Sequence, residues 1–366
     1  MAITETYVDP AIAGASGAGT VGDPYGDLQH ALDTMTRDAT NGDRINIKAG
    51  TDEILGAALT LATYGTPTVD AQLFLQGYTT AAGDGGIGGI SGNATYEVLN
   101  STTLDYIQFV DLHMHNSGSA SFVVQARNFC NFIGCELDNG TGAALIKVGL
   151  YCSVTDCYFH NFDGIGLQLG QAGSIVSSCY FENGASDFTD TISVQSGCYV
   201  FNNIISIDGA SDGIVLNGIG HVASNNTVYS SSGTGDGITS GDNSVIINNY
   251  IEGFSGAGGV GMLIPTGKVV PLLQANRYYN STTNESIVGV VVNDTDNSAV
   301  GSSALTNPGA GDFSVGTDLK AGAYPTTFKG SSTSQYMDIG AAQRQEPAGG
   351  AGGGRQGLHS IESGAV

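Results

Sequence analysis

A near-repeat with a period in the low twenties runs from Ser101 to Asn280 and leaves few folds open to this chain. Its marker is a triplet that recurs eight times: Leu112-His113-Met114, Cys135-Glu136-Leu137, Cys157-Tyr158-Phe159, Cys179-Tyr180-Phe181, Asn203-Ile204-Ile205, Asn226-Thr227-Val228, Asn249-Tyr250-Ile251 and Asn276-Arg277-Tyr278. The first residues of these triplets are 23, 22, 22, 24, 23, 23 and 27 positions apart. A fixed period of this size marks a solenoid. It is too short for a pair of helices and suits one coil of about three short strands, at ~3.3 Å per strand residue. The leucine pattern of leucine-rich repeats is missing. The segments alternate in polarity, as in Val154-Thr155-Asp156-Cys157-Tyr158-Phe159, instead of following a 3.6-residue period. The expected fold is all-β: a right-handed parallel β-helix with a short N-terminal capping helix.

Three columns set the register. The first triplet positions point inward and stack Leu112, Cys135, Cys157, Cys179, Asn203, Asn226, Asn249 and Asn276 about 4.8 Å apart. A buried Asn is costly unless bonded, and stacked amides bond one another and the corner backbone. A second ladder runs five residues earlier through Cys130, Cys152, Ser174, Cys198, His221 and Ser244. A third column falls at a corner: Asp163-Gly164-Ile165, Asp190-Thr191-Ile192, Asp212-Gly213-Ile214, Asp236-Gly237-Ile238, then Gly259-Val260. Asp bonds its own backbone there and Gly tolerates positive φ. The Asp column is also a candidate for Ca²⁺. On these columns the chain resembles the right-handed parallel β-helix families, which include pectate-lyase-like enzymes and phage tailspikes, from Tyr7 to Ala341.

Composition narrows the function. The net charge is −23, from 11 Lys+Arg against 34 Asp+Glu, which repels nucleic acid and anionic membranes. No apolar stretch reaches the ~20 residues that span a bilayer. Met1-Ala2-Ile3-Thr4-Glu5 has neither a basic start nor an apolar run, so no signal peptide is expected and the chain is expected to be made in a cytoplasm. The six Cys follow the repeat spacing, so reduced, buried thiols are expected, although neighbouring rungs such as Cys130 and Cys152 are close enough in register to pair. His113 with His115 is by itself a weak metal signal, and no metal ligand set is assigned.

Along the chain, residues 1–22 read as an extended arm. Asp23-Pro24 reads as a helix start, with Tyr25, Leu28, Leu32 and Met35 on one face, giving a capping helix over 24–38 that covers the open end of the coils. The parallel β-helix is expected over 23–341, with a glycine-rich insertion at 79–95 that breaks the period. Asp312-Phe313-Ser314 and Asp338-Ile339-Gly340-Ala341 read as closing segments, and 342–366 as a flexible glycine-rich tail.

The second and fourth positions of each segment face outward. They read His113, Glu136, Tyr158, Tyr180, Ile204, Thr227, Tyr250 and His115, Asp138, His160, Glu182, Ser206, Tyr229, Glu252. Interleaved aromatic rings and carboxylates suit a sugar surface, so Tyr158, Tyr180, Tyr229 and Tyr250 are candidate glycan contacts. A solvated sheet face with tyrosines favoured by strand propensity gives the same pattern. Asp138 and Glu182 lie two rungs apart, ~9–10 Å between backbones, near the separation of inverting glycosidases, with His160 between them. These three are the candidate catalytic residues. Arg127, Lys147, Lys268 and Arg277 do not line up beside an acidic cluster, which departs from the pectate-lyase pattern.

Three functions fit. The first is a structural or adhesive bacteriophage virion protein, a spike, fibre or surface decoration that contacts host-surface glycan and joins other virion proteins or copies of itself, a homotrimer among them. The second is a polysaccharide-degrading enzyme acting on Asp138, His160 and Glu182. The third is a bacterial surface adhesin. None calls for a cofactor beyond the Ca²⁺ alternative, for nucleic acid or for membrane insertion.

Overall fold

A computed structural model of the chain describes residues 3–93, 95–100, 105–116, 122–138, 140, 142–183, 190–310 and 312–315. It is a parallel β-solenoid. Three long parallel sheets of 12, 11 and 9 strands run along it, each adding its next strand from the next turn. The first face carries strands such as Asn131–Ile133, Ser153–Thr155 and Ile175–Ser177. The second carries Glu136–Asp138, Tyr158–His160 and Tyr180–Asn183. The third carries Ala144–Val148, Ile165–Leu169 and Asp190–Val194. One apolar core runs from Val8 to Tyr278 inside them. Phe109 stacks on Phe132 at 4.5 Å and Phe159 on Phe181 at 4.4 Å.

The inward ladder stands as expected, and each rung is buried. Asn226 shows the bonding. Its Oδ1 accepts from the backbone N and the Nδ2 of Asn203, at 3.1 and 3.0 Å. Its Nδ2 donates to Val200 O at 2.9 Å and to Asn249 Oδ1 at 3.0 Å. All four hydrogen-bonding positions of the amide are thereby used. The thiols of Cys135 and Cys179 donate to Phe109 O and Val154 O, the same carbonyl column that the Asn residues use. The ladder runs one rung past Asn276, because Asn297 Oδ1 accepts from both nitrogens of Asn276. All six cysteines are buried thiols outside any disulfide, as the repeat spacing implied.

The corner ahead of this ladder takes a single left-handed residue. Asp111, Gly134, Asp156, Ser178, Asn202, Asn225, Asn248, Ala275 and Asp296 all have φ between 51° and 63°. Most are types that tolerate that region. The corner ahead of the second ladder uses the same device, with Gly173, Gly197, Gly220 and Asn243 in one column. The first three rungs of that column keep the left-handed corner but fill it with bulky aromatic residues. Tyr106, Phe129 and Tyr151 hold φ of 63°, 55° and 54°. Their rings stack at 4.8 and 5.4 Å, and Phe129 and Tyr151 are 37% and 56% exposed.

Several boundaries differ from expectation. The arm begins inside the solenoid, since Thr4–Val8 pairs in parallel with Asp43–Lys48. The helix spans Leu28–Thr34, capped by Asp27, whose carboxylate accepts from His30 N at 2.6 Å. Residues 24–26 stay extended because the backbone of Tyr25 bonds Tyr7 and Asp9. Leu28, Ala31 and Leu32 are buried and join the same apolar core as Val8 and Ile45. Within the expected insertion, Gly88–Ser91 forms a regular rung of the second face. Asp163 lies outside the Asp column, because the pairing of Leu167 with Ile192 sets Ile165 beside Asp190. Asp190, Asp212 and Asp236 do stack, but Asp212 Oδ1 accepts from Asp236 N of the next rung at 2.7 Å rather than from its own turn. The segment 338–341 and the tail 342–366 lie outside the described residues.

Two expectations follow for stability. Asn226→Leu strands the amide of Asn203 and a buried carbonyl. It is expected to cost about 2–4 kcal/mol in urea unfolding, and the same change at the partly exposed Asn297 less. Burial pushes the Asp212 carboxyl up to about 6, above its unfolded value. That group therefore favours the fold at pH 4 and loses its contribution as pH rises through 6. Asp212→Asn is expected to raise Tm at pH 7 more than at pH 4 in parallel thermal melts.

Candidate functional site

The outward strip of the second face has the predicted register. His113, Glu136, Tyr158, Tyr180, Ile204, Thr227 and Tyr250 follow one another rung by rung. So do His115, Asp138, His160, Glu182, Ser206, Tyr229 and Glu252. Alternation along each strand sends these side chains away from the core.

Over rungs 113–182 the strip is a network of imidazoles, carboxylates and phenols. Asp138 is 6% exposed. Its Oδ1 lies 3.1 Å from His113 Nε2, and its Oδ2 lies 4.0 Å from His160 Nε2. The Asp138 hydrogen bond holds the His113 imidazole above its ordinary pKa. Asn161 Nδ2 donates to His160 Nδ1 at 2.9 Å, so Nε2 carries the proton aimed at Glu136 Oε1, also 2.9 Å away. Tyr158 stacks on His160 at 4.4 Å and on Tyr180 at 5.4 Å, and its hydroxyl donates to Glu182 Oε2 at 2.5 Å. Burial first, and that bond second, push the Tyr158 phenol well up.

The three candidate catalytic residues thus sit on consecutive rungs without forming a directly bonded trio. His160 is shared between Glu136 and Asp138, and Glu182 is tied to Tyr158. Glu136 had no assigned role, yet it is the carboxylate nearest His160, at 2.9 Å against 4.0 Å for Asp138. Its outward position beside that ring was legible in the column spacing.

The candidate glycan contacts divide. Tyr158 lies on the open part of the strip. Further along, the antiparallel pair Leu305–Asn307 and Asp312–Val315 folds over the face, and Ala304, Leu305 and Phe313 build a second apolar cluster around Tyr250. Phe313 meets the edges of Tyr180 and Tyr229 at 5.8 and 5.9 Å. Tyr250 is 0% exposed. Its hydroxyl donates to Glu252 at 2.6 Å and accepts from Ala304 N at 3.0 Å. The expectation that Tyr250 faces solvent is therefore corrected, and Tyr229 is partly covered. An amphipathic segment far along the chain buries its apolar side on the strip's aromatic end, a pairing that column spacing does not encode.

A second aromatic feature was missed: the corner ridge of half-buried Tyr106 and exposed Phe129 and Tyr151. The signal was present, since each precedes a residue in the register of the second ladder. Among the described residues, one set of three histidine and carboxylate groups brings its donor atoms within 4.8 Å of one another: Asp52, His113 and His115. No described helix is long and apolar enough to cross a membrane.

No protein-family model matches the chain, and no curated protein does. Among solved structures, the pectate lyase Pel9A superposes with a TM-score of 0.57 at 14% identity, over 94% of this chain and 98% of that one. A GH136 lacto-N-biosidase from Eubacterium ramulus gives 0.48 at 12% identity, over 81% of this chain and 67% of that one. A tailspike protein of E. coli bacteriophage HK620 gives 0.43 at 15% identity, over 71% of this chain, which spans 60% of the tailspike chain. The property that this chain shares with Pel9A is the parallel β-solenoid fold.

The lid over the aromatic end is testable because the chain has no Trp and tyrosine emission reports on it directly. Phe313→Ala is expected to increase acrylamide quenching of tyrosine fluorescence. Circular dichroism of the solenoid is expected to stay unchanged, since contacts in a solenoid are local.

Proposed function

We propose that this chain is a glycan-engaging β-solenoid, with the second face around Tyr158 as the contact surface, and that it serves as a structural or adhesive component of a bacteriophage particle. The observation that carries the glycan reading is the Tyr158–Tyr180 stack set beside Glu136, Asp138 and Glu182. Ring surfaces meet sugar CH groups there and carboxylates meet hydroxyls. Asp138, Glu136 and Glu182 are each held by an imidazole or a phenol, an arrangement that supports binding more than acid–base turnover. The corner ridge of Tyr106, Phe129 and Tyr151, exposed at Phe129 and Tyr151, adds a second platform. A bulky residue in the left-handed region costs about 1–2 kcal/mol and a stacked aromatic pair returns about 0.5–1.5 kcal/mol. The fold makes the same corner with glycine at 173, 197 and 220, so stability alone does not call for these rings.

The second reading, a glycoside hydrolase, is favoured by one observation: Asp138 and Glu182 flank His160 on adjacent rungs, ~9.6 Å apart along the sheet.

Binding to a panel of bacterial surface polysaccharides tests the first reading. Tyr158→Ala is expected to weaken binding at least tenfold, with reducing-sugar release absent throughout. Sustained release that vanishes in both Asp138→Asn and Glu182→Gln replaces the adhesive reading with the hydrolase. Immunogold labelling of phage particles from the producing host tests the virion role. In the ridge, Tyr151→Gly is expected to leave stability within about 1 kcal/mol of the parent while lowering glycan affinity. A large stability loss would make the ridge structural.

A further inference from the structure

The near end of the second face holds a donor cluster that the glycan reading does not use. Strand Asp52–Ile54 lies beside Gly88–Ser91, which lies beside Leu112–His115. In that register Asp52, Gly89 and His113 form one column, and Ile54, Ser91 and His115 the next. His113 and His115 are two apart on one strand, so both imidazoles leave the same face, and their rings stack at 4.8 Å.

Gly89 decides the rest. Asp52 stands two rungs from His113, ~9.6 Å along the sheet, out of reach of a short carboxylate across an ordinary side chain. A Cβ on Gly89 would lie 1.8 Å from Asp52 Oδ1. The carboxylate occupies the space that the glycine leaves, crosses the empty rung and sets Oδ2 3.0 Å from His115 Nε2. On the other side Asp138 holds His113 Nε2 at 3.1 Å. Two unrelated surface His–carboxylate pairs need no such gap. The gap is what gathers Asp52, His113 and His115 into one group with donors within 4.8 Å.

We propose that this group is a binding site for a divalent first-row transition-metal ion, with Asp52, His113 and His115 as ligands. Two imidazoles and one carboxylate suit Zn²⁺ and its neighbours, whereas Ca²⁺ and Mg²⁺ prefer all-oxygen sets. Metal–donor bonds of about 2.0–2.2 Å place tetrahedral ligands roughly 3.3 Å apart, so donors that now lie within 4.8 Å of one another close by up to about 1.5 Å on binding. Their exposures of 43% for Asp52, 27% for His113 and 19% for His115 leave that freedom. Asp138 is the carboxylate that orients His113, the partner that a metal-bound imidazole commonly has. The site stands independently of glycan binding.

The test uses the untagged full-length chain, stripped with chelator and titrated with Zn²⁺ by calorimetry, and with Co²⁺ by visible absorption. The expected result is one Zn²⁺ per chain, a raised Tm and imidazole-type Co²⁺ bands. Affinity should fall at least tenfold in His113→Ala, His115→Ala and Asp52→Asn. Gly89→Ala should do the same by displacing the carboxylate while keeping all three ligands. His30→Ala, on the capping helix, should stay within twofold of the parent. Circular dichroism identifies any variant that fails to fold, and the exposed Asp52→Asn change alone then decides. Absence of saturable one-to-one binding, or affinity that survives loss of Asp52 and both histidines, overturns the proposal.

Discussion

A buried amide can satisfy its four hydrogen-bonding positions only from the turn below and the turn above, and that requirement ties this solenoid together. Asn203, Asn226, Asn249, Asn276 and Asn297 form one continuous line of such amides. Each also reaches a backbone carbonyl of the preceding turn. A slip of one residue would turn every amide outward and leave the carbonyls unmet, so the line acts as a register lock as well as a source of stability. In the earlier turns thiols take the same column, making weaker bonds to the same carbonyls, and the stacked Phe pairs supply more of the packing.

The lock works because each ladder residue follows a one-residue left-handed corner. That corner sharply redirects the chain between the first and second faces, and its position sets which side chains leave the second face together. His113, Glu136 and Tyr158 owe their alignment to it, as do His115, Asp138 and His160. The strip's chemistry is thus a consequence of core hydrogen bonding on the opposite side of the same strands.

Along the strip, character changes with position. Near Asp52 and His113, nitrogen and oxygen donors converge across a glycine gap. Between Glu136 and Glu182, carboxylates pair with imidazole and phenol. From Tyr180 onward the outward rings pack against Ala304, Leu305 and Phe313. One sheet therefore carries a donor cluster, an open polar–aromatic surface and a covered seam in succession, each set by which side chain stands on which rung.

The amino-acid sequence by itself determined the solenoid, its three columns and the membership of the outward strip. The period and the strand alternation are local properties that repeat, and a repeat fixes register without knowledge of distant contacts. Asp163 is the instructive exception: its Asp-Gly-Ile motif matches the column, yet the loop lengths around it shift the pairing by two residues. Only the tertiary structure decided that Tyr250 is sealed by Leu305 and Phe313, that Thr4–Val8 forms the first rung and that Asp52 reaches His115 over Gly89. Each of these joins segments of unequal spacing, 37 to 63 residues apart, whose meeting depends on how several turns and insertions add up in space.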